Sequence, residues 1–202
     1  MSLDREVEKE KGLPTPVLAG VAVVIIIAVI AAFVFTGQQK KFEPMVAGAE
    51  ALEFTLPDLE GEPVNLSDFR GKVVFLNFWA TWCKPCEDEM PSMQALYEDL
   101  SGQPFEIVAV SVDGEPPQVV RDFVTEYGIT FTVLHDQTGR LKESYKTTGV
   151  PETFIIDQNG VVAEKVWGPR DWNSPDAIST IKNLLAEGPK DPESYKPAHM
   201  RK

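Results

Sequence analysis

The longest apolar stretch of the chain runs from Val17 to Phe35 without a charged residue. As a helix with ~1.5 Å rise per residue it would span about 28 Å, close to the ~30 Å hydrocarbon thickness of a bilayer. A cleaved signal peptide is the alternative, but its apolar region is normally about 7 to 15 residues long. The pattern therefore favours a single transmembrane anchor at 17–36, preceded by an N-terminal segment at 1–16 and followed by a linker at 37–50.

Beyond residue 51 the apolar segments are short and differ in period. The runs 72–77 and 105–112 are typical of buried strands, whereas 87–100 and 174–186 carry apolar residues at helical spacing. The pair Asn159–Gly160 predicts a hairpin turn. Alternating strands and helices predict one α/β domain over 51–187, a mixed central sheet flanked by helices, with an additional hairpin at 54–66. The proline-containing tail at 188–202 is predicted to be disordered.

Composition excludes several classes of function. The chain carries 31 acidic and 19 basic residues, a net charge of -12, so a nucleic-acid partner is not expected. Two cysteines are too few for a disulfide-stapled fold. A closed zinc site needs four ligands, and only His135 and His199 accompany the cysteines. We expect both histidines to be solvated and predict no metal site.

The two cysteines, Cys83 and Cys86, follow the predicted strand at 72–77 and precede the helix at 87–100. Unpaired N–H groups in the first helical turn favour an anion, and a cysteine there can have its pKa lowered from about 8.5 to ~3.5–7.5. We therefore predict that Cys83 attacks a substrate disulfide and that Cys86 resolves the product. The Cys83–Cys86 disulfide would then be the redox group, with no other cofactor.

Charges beside the apolar run bear on the location of the cysteines. Arg5, Lys9 and Lys11 precede the run, and Lys40 and Lys41 follow it. The positive-inside rule leans slightly towards a cytoplasmic N-terminus, which places the cysteine domain on the extracytoplasmic (periplasmic) side of the membrane.

Several motifs together resemble the thioredoxin superfamily: Cys83-Lys84-Pro85-Cys86, Pro91 within the following helix, and Val150-Pro151 before a strand. The segments 65–72 and 77–83 are similar to the TlpA/ResA group, and 149–154 is similar to the CcmG/DsbE reductases. The resemblance implies a thioredoxin fold and a membrane-anchored, extracytoplasmic thiol-disulfide oxidoreductase. It also implies a protein disulfide substrate, such as apocytochrome c during cytochrome c maturation, and re-reduction by a membrane thiol electron donor.

The resemblance also implies roles for single residues. Cys83 is the nucleophile, Cys86 the resolving thiol, and Pro151 a cis-proline whose exposed backbone docks an extended client. Asn77 replaces the buried acid of thioredoxin, and Glu89 occupies the position of the acid in the ResA pattern, with Glu152 as a second candidate proton acceptor. The residues expected to contact substrate or modulate the thiols are Trp82, Lys84, Pro85, Val150 and Glu152.

Two other functions stay open at this point. The front hairpin and the segment 67–72 also occur in peroxiredoxins, although Cys83 lacks the preceding Pro-x-x-x-Thr-x-x segment of those enzymes. A thiol-based copper or haem chaperone would require a further soft or imidazole ligand, for which His135 is the candidate in the domain.

Overall fold

The structure, a computed structural model, describes residues 25–29 and 45–200. Residues 25–29 are helical, and the remainder of the predicted anchor at 17–36 lies outside the described residues. The predicted N-terminal segment at 1–16 and the first part of the linker, 37–44, also lie outside them. Within the described ranges, no helix has both the length and the apolar character needed to cross a bilayer.

A five-stranded mixed sheet and a separate hairpin form the β structure of residues 45–200. The sheet has the order β5-β4-β3-β6-β7; β3, β4 and β5 are parallel, and β6 and β7 run antiparallel to their neighbours. The strands are β1 (Thr55–Pro57), β2 (Pro63–Asn65), β3 (Val73–Trp79), β4 (Phe105–Ser111), β5 (Thr132–His135), β6 (Glu152–Ile156) and β7 (Val162–Trp167).

Helices cover both faces of this sheet, as the alternation of elements predicts. Along β3, Phe75 and Trp79 face one hydrophobic core, which also contains residues of the helices at 84–99, 117–126 and 175–187. Leu76 and Phe78 face the other core, which packs against the helix at 140–144 and the hairpin. Within residues 45–200, the helices are α1 (Lys84–Asp99), α2 (Pro117–Glu126), α3 (Arg140–Ser144), α4 (Pro175–Glu187) and α5 (Pro192–Tyr195), with 3-10 turns at Leu66–Phe69 and Ala198–Met200. The predicted α/β architecture is confirmed.

The linker prediction was wrong from residue 45 onward. Met45 is buried, the N–H of Gly48 donates to the carbonyl of Val162 at 2.7 Å, and Glu50 pairs with Val161. Strand β7 lies at the edge of the sheet, where backbone groups lack a neighbouring strand, and residues 48–50 supply partners at its beginning. The folded unit therefore starts before the predicted boundary at residue 51.

The prediction of a disordered tail was also wrong for residues 188–200. Helix α5 ends at Tyr195, whose hydroxyl donates to the buried carboxylate of Asp157 at 3.0 Å. The tail passes so close to Gly48 that a Cβ there would lie 2.6 Å from the carbonyl oxygen of Pro192. These contacts are tertiary, and local composition does not reveal them.

Candidate active site

The two cysteines lie at the first turn of α1, which follows β3 after the short loop at 80–82. Cys83 is the N-cap residue of α1 and forms a disulfide with Cys86, with a Cα–Cα distance of 5.2 Å. The N–H of Cys86 donates to Sγ of Cys83 at 3.3 Å. Cys86 is fully buried, while Cys83 keeps 5% of its surface exposed. Of the two cysteines, Cys83 is therefore the one nearer the surface, and its role as nucleophile stays a prediction.

A buried carboxylate at the end of β4 fixes the loop before Cys83. Asp113 accepts hydrogen bonds from the N–H of Thr81 at 3.0 Å and from its hydroxyl at 2.7 Å. The hydroxyl of Ser111 donates to the same carboxylate at 2.7 Å. Because Thr81 is two residues from Cys83, this network holds the nucleophile's loop against the sheet.

The loop preceding β6 lies against Cys83, the less buried of the two cysteines. The Val150–Pro151 peptide bond is cis, as the resemblance implied, and the carbonyl oxygen of Val150 is 3.5 Å from Sγ of Cys83. Pro151 is itself buried. Backbone of the Val150–Pro151 loop thus borders the sulfur, where a client chain would approach.

Glu89 lies on α1, one turn beyond Cys86, with 2% of its surface exposed. Its carboxylate accepts hydrogen bonds from the indole N–H of Trp172 at 3.2 Å, the backbone N–H of Arg170 at 3.3 Å and the side-chain amide of Asn77 at 3.1 Å. Burial raises the pKa of Glu89 to about 7, and the three hydrogen bonds only partly oppose this shift. Near neutral pH the group can therefore both take up and release a proton.

An open groove of about 290 Å³ connects Glu89 with solvent. Its lining residues are Asp88, Glu89, Ser92, Pro169, Arg170 and Asp171. Protons held by Glu89 can exchange with water through this groove without passing the disulfide.

Glu152, the second acid named from sequence, has different partners. It is also buried, but its carboxylate forms an ion pair with Nζ of Lys165 at 2.7 Å and accepts hydrogen bonds from the N–H and hydroxyl of Thr148 at 3.1 and 3.2 Å. Glu152 thus lies beside a cation, whereas Glu89 is bonded by neutral donors.

Three other predicted residues lie at the surface around Cys83. Trp82 is 67% exposed, and Lys84 and Pro85 are exposed in the first turn of α1. The amino group of Lys84 lies 2.7 Å from Glu87 and 2.9 Å from Asp88. Both bonds raise the pKa of Lys84, and the bond to Glu87 contributes most. Its charge is thus shared with two carboxylates of the same helix.

The predicted solvation of His135 was wrong. It is 4% exposed, and its Nε2 is 2.8 Å from the carbonyl oxygen of Asp113, so it supports the network beneath the Thr81 loop. His199, in contrast, is exposed as predicted. Among residues 25–29 and 45–200, no cluster of three or more His, Cys, Asp and Glu side chains could hold a metal ion.

Sequence reasoning missed several residues of the site. Trp172 and Arg170 reach Glu89 from a loop more than 80 positions away, and Lys165 reaches Glu152 across a hairpin. Asp113 could have been predicted from the sequence, because it follows β4, and the carboxyl ends of parallel strands β3 and β4 lie side by side.

Comparison with known proteins agrees with this geometry. Residues 47–165 match the AhpC/TSA family. The chain is 42% identical over 144 residues to thiol-disulfide oxidoreductase ResA of Geobacillus kaustophilus (strain HTA426), covering 71% of this chain and 82% of that protein. A Chlorobium tepidum structure assigned as thiol:disulfide interchange protein DsbE has a TM-score of 0.61 and 33% identity, covering 70% of this chain and 96% of that one. StoA from Bacillus subtilis has a TM-score of 0.55 and 26% identity, with 70% and 98% coverage.

The fold and the cysteine pair define a thiol-disulfide oxidoreductase with a thioredoxin-like fold. The chain belongs to the AhpC/TSA family and, within it, is similar to the ResA enzymes.

The buried carboxyl of Glu89 should make folding stability depend on pH. Its folded pKa of about 7 lies above the reference value of 4.5, so between these values the folded chain keeps a proton that the unfolded chain has lost. Stability should therefore fall as pH rises through this window and then level off, by an amount on the order of 3 kcal/mol. Glu89→Gln, neutral at every pH, should lack this loss.

Urea unfolding of the oxidised wild type and variant at pH 5, 6, 7 and 8 measures the effect. The stability of Glu89→Gln relative to wild type should increase with pH. A difference that stays constant from pH 5 to 8 would show that Glu89 does not titrate in this window.

Proposed function

We propose that this protein reduces disulfides of extracytoplasmic client proteins, such as the haem-attachment cysteines of apocytochrome c, from a membrane-anchored position. The observation that carries the proposal is that Cys83, the less buried cysteine, lies beside the cis Val150–Pro151 backbone, with its sulfur 3.5 Å from the Val150 carbonyl oxygen. An extended client can pair with backbone at such a site and present its own disulfide to the sulfur. The similarity to ResA enzymes supports this substrate class.

In the reduced enzyme, the Cys83 thiolate attacks one sulfur of the client disulfide. A mixed disulfide forms, and the other client sulfur leaves as a thiolate that takes a proton from water. The Cys86 thiol then gives its proton to the Glu89 carboxylate and attacks Sγ of Cys83, which breaks the mixed disulfide and releases the second client thiolate. Two electrons have passed to the client, and Cys83–Cys86 is the disulfide that remains.

The position of Glu89 supports its role as proton acceptor. It lies one turn beyond Cys86 on α1, is buried, and has a pKa raised to about 7 by that burial. A base is most effective when its pKa is near the working pH. The groove along Asp88 and Arg170 lets the proton leave afterwards.

Charges around Cys83 support the direction of electron flow. An oxidising member of this class owes its potential to a stabilised reduced form, that is, to a stabilised thiolate. Here the nearest lysine on the helix, Lys84, is paired with Glu87 and Asp88, so it offers the thiolate little net positive charge. Glu89 adds a carboxylate nearby. Both features disfavour the reduced form and favour electron donation to the client.

Membrane attachment is proposed from the apolar run at 17–35 and the charges flanking it. Once oxidised, the domain would require a thiol donor to restore the dithiol, and a membrane electron carrier with its own cysteines could reach it there.

The full chain with Cys86→Ser should trap its client. Cys83 can still attack, but resolution is blocked, so a mixed disulfide should accumulate after acid quenching and thiol alkylation of cells. Mass spectrometry of the protein released by dithiothreitol should identify a client with a C-x-x-C-H haem-attachment motif.

The reciprocal variant, Cys83→Ser, is the matched control and should trap nothing, since buried Cys86 cannot reach a client. Trapping by Cys86 alone would reverse the assigned roles.

A membrane-impermeant maleimide applied to intact cells should label Cys83 of Cys86→Ser, because the proposed domain is extracytoplasmic. Protection of Cys83 until the membrane is opened would contradict that location.

Equilibration with a dithiothreitol or glutathione redox series should place the Cys83–Cys86 couple towards the reducing end of the ~-120 to -270 mV range of this fold. Lys84→Gln should change the potential by less than about 15 mV, because the lysine charge is already neutralised by its neighbours. A wild-type potential near the oxidising end would refute the reductase direction.

Glu89→Gln should slow resolution of the mixed disulfide at neutral pH by on the order of 100-fold, the scale of a lost general base. In the wild type, the rate should rise as pH passes about 7, because Glu89 must be ionised to accept the proton. The variant should lose this rise, and the two rates should converge near pH 5.

Stopped-flow mixing of the reduced protein with a fluorescent peptide disulfide measures this rate. Glu98→Gln, an exposed acid on the same helix, is the control and should behave as wild type. An unchanged pH profile in Glu89→Gln would assign the proton to another acceptor.

A further inference from the structure

Lys165 on β7 and Glu152 on β6 form an ion pair in which both side chains are nearly buried, at 7% and 1% exposure. The ammonium nitrogen lies 2.7 Å from Oε1 of Glu152. It also lies 4.8 Å from the ring centre of Phe154 and 5.1 Å from that of Trp167. Burying two charges costs free energy unless further contacts stabilise them, so the position of this pair beside the site needs an explanation.

The other carboxylate oxygen of Glu152 supplies that reason. Oε2 accepts the N–H and the hydroxyl of Thr148, at 3.1 and 3.2 Å. Thr148 begins the short turn that ends at the cis-proline. Glu152 therefore binds Lys165 with one oxygen and the beginning of this turn with the other.

The far end of the turn is held by the same hairpin. The N–H of Gly168, just beyond β7, donates to the carbonyl of Pro151 at 3.0 Å. Between these two attachments lies Val150, whose carbonyl oxygen is 3.5 Å from Sγ of Cys83. Displacement of Glu152 would thus move the backbone that borders the reactive sulfur.

We propose that Lys165 is a positioning residue for client docking: it holds Glu152 in the orientation that fixes the 148–151 turn beside Cys83. The inference deepens the proposed function and rests on it, because it assigns the turn to the client's backbone. The inference also gives different roles to the two buried acids of the site. Glu152 is an anchor paired with an ammonium group, whereas Glu89 is bonded only to neutral donors.

The test compares a protein disulfide with a small one. Reduced Lys165→Met keeps the length of the side chain but loses its charge, so the turn should loosen. With insulin as substrate and dithiothreitol as the electron source, KM should rise about tenfold while kcat stays within about twofold. The rate with 5,5′-dithiobis(2-nitrobenzoate), which needs no docking on backbone, should stay within about twofold.

Lys165→Arg restores the charge and should bring KM for insulin back to within about threefold of wild type. The matched control is Lys182→Met, which removes a lysine from an exposed pair with Asp99 and should leave both substrates unaffected. Thermal unfolding shows whether each variant is folded.

If Lys165→Met does not fold, Thr148→Val tests the same attachment from its other side, since it deletes only the hydroxyl bond to Glu152. It should raise KM for insulin by about threefold. Unchanged KM in the folded variants, or an equal loss with both substrates, would overturn the positioning role. A wild type that reduces the small disulfide but neither insulin nor a peptide with an oxidised C-x-x-C-H motif would instead refute the proposed function itself.

Discussion

A carboxylate without a cation, buried one turn beneath a disulfide, is the constraint on which the active site depends. Glu89 is held there by donors from two separate parts of the chain: Asn77 on β3, and Arg170 and Trp172 in the loop after β7. Burial outweighs these bonds and raises its pKa to about 7. The burial that costs stability at this position also brings the pKa of the group close to neutral pH, as the proposed proton transfer requires.

The remaining buried polar groups keep the two sides of the disulfide in place. Asp113 holds the loop that leads into Cys83, and Glu152 holds the turn that carries Val150. Each accepts a backbone N–H and a hydroxyl from the loop that it holds, and Glu152 is also paired with Lys165. Each thereby links a loop at the site to the sheet. Rigid strands thereby determine the spacing between the reactive sulfur and the backbone beside it.

Local pattern was sufficient for most of the architecture. Apolar runs and helical spacing located β3, β4, α1 and α4 to within a few residues, because these elements bury a continuous face and their sequences show it. The tail and the segment at 45–50 were misjudged because their order comes from distant partners, Asp157 and the beginning of β7. His135 was misplaced for the same reason: a polar residue at a strand end can point into a buried network as well as to solvent.

The sequence by itself determined which groups stand at the site: two cysteines three positions apart at a strand-to-helix junction, a proline before β6, and an asparagine at the position of the buried acid in the thioredoxins that the chain resembles. Only the tertiary structure decided what surrounds each of the two acids. Glu89 and Glu152 look alike in sequence, since both are carboxylates near a motif, and both are buried. They differ because Lys165 crosses the hairpin to one of them, while only neutral donors reach the other, and contacts between residues far apart in the chain leave no local pattern.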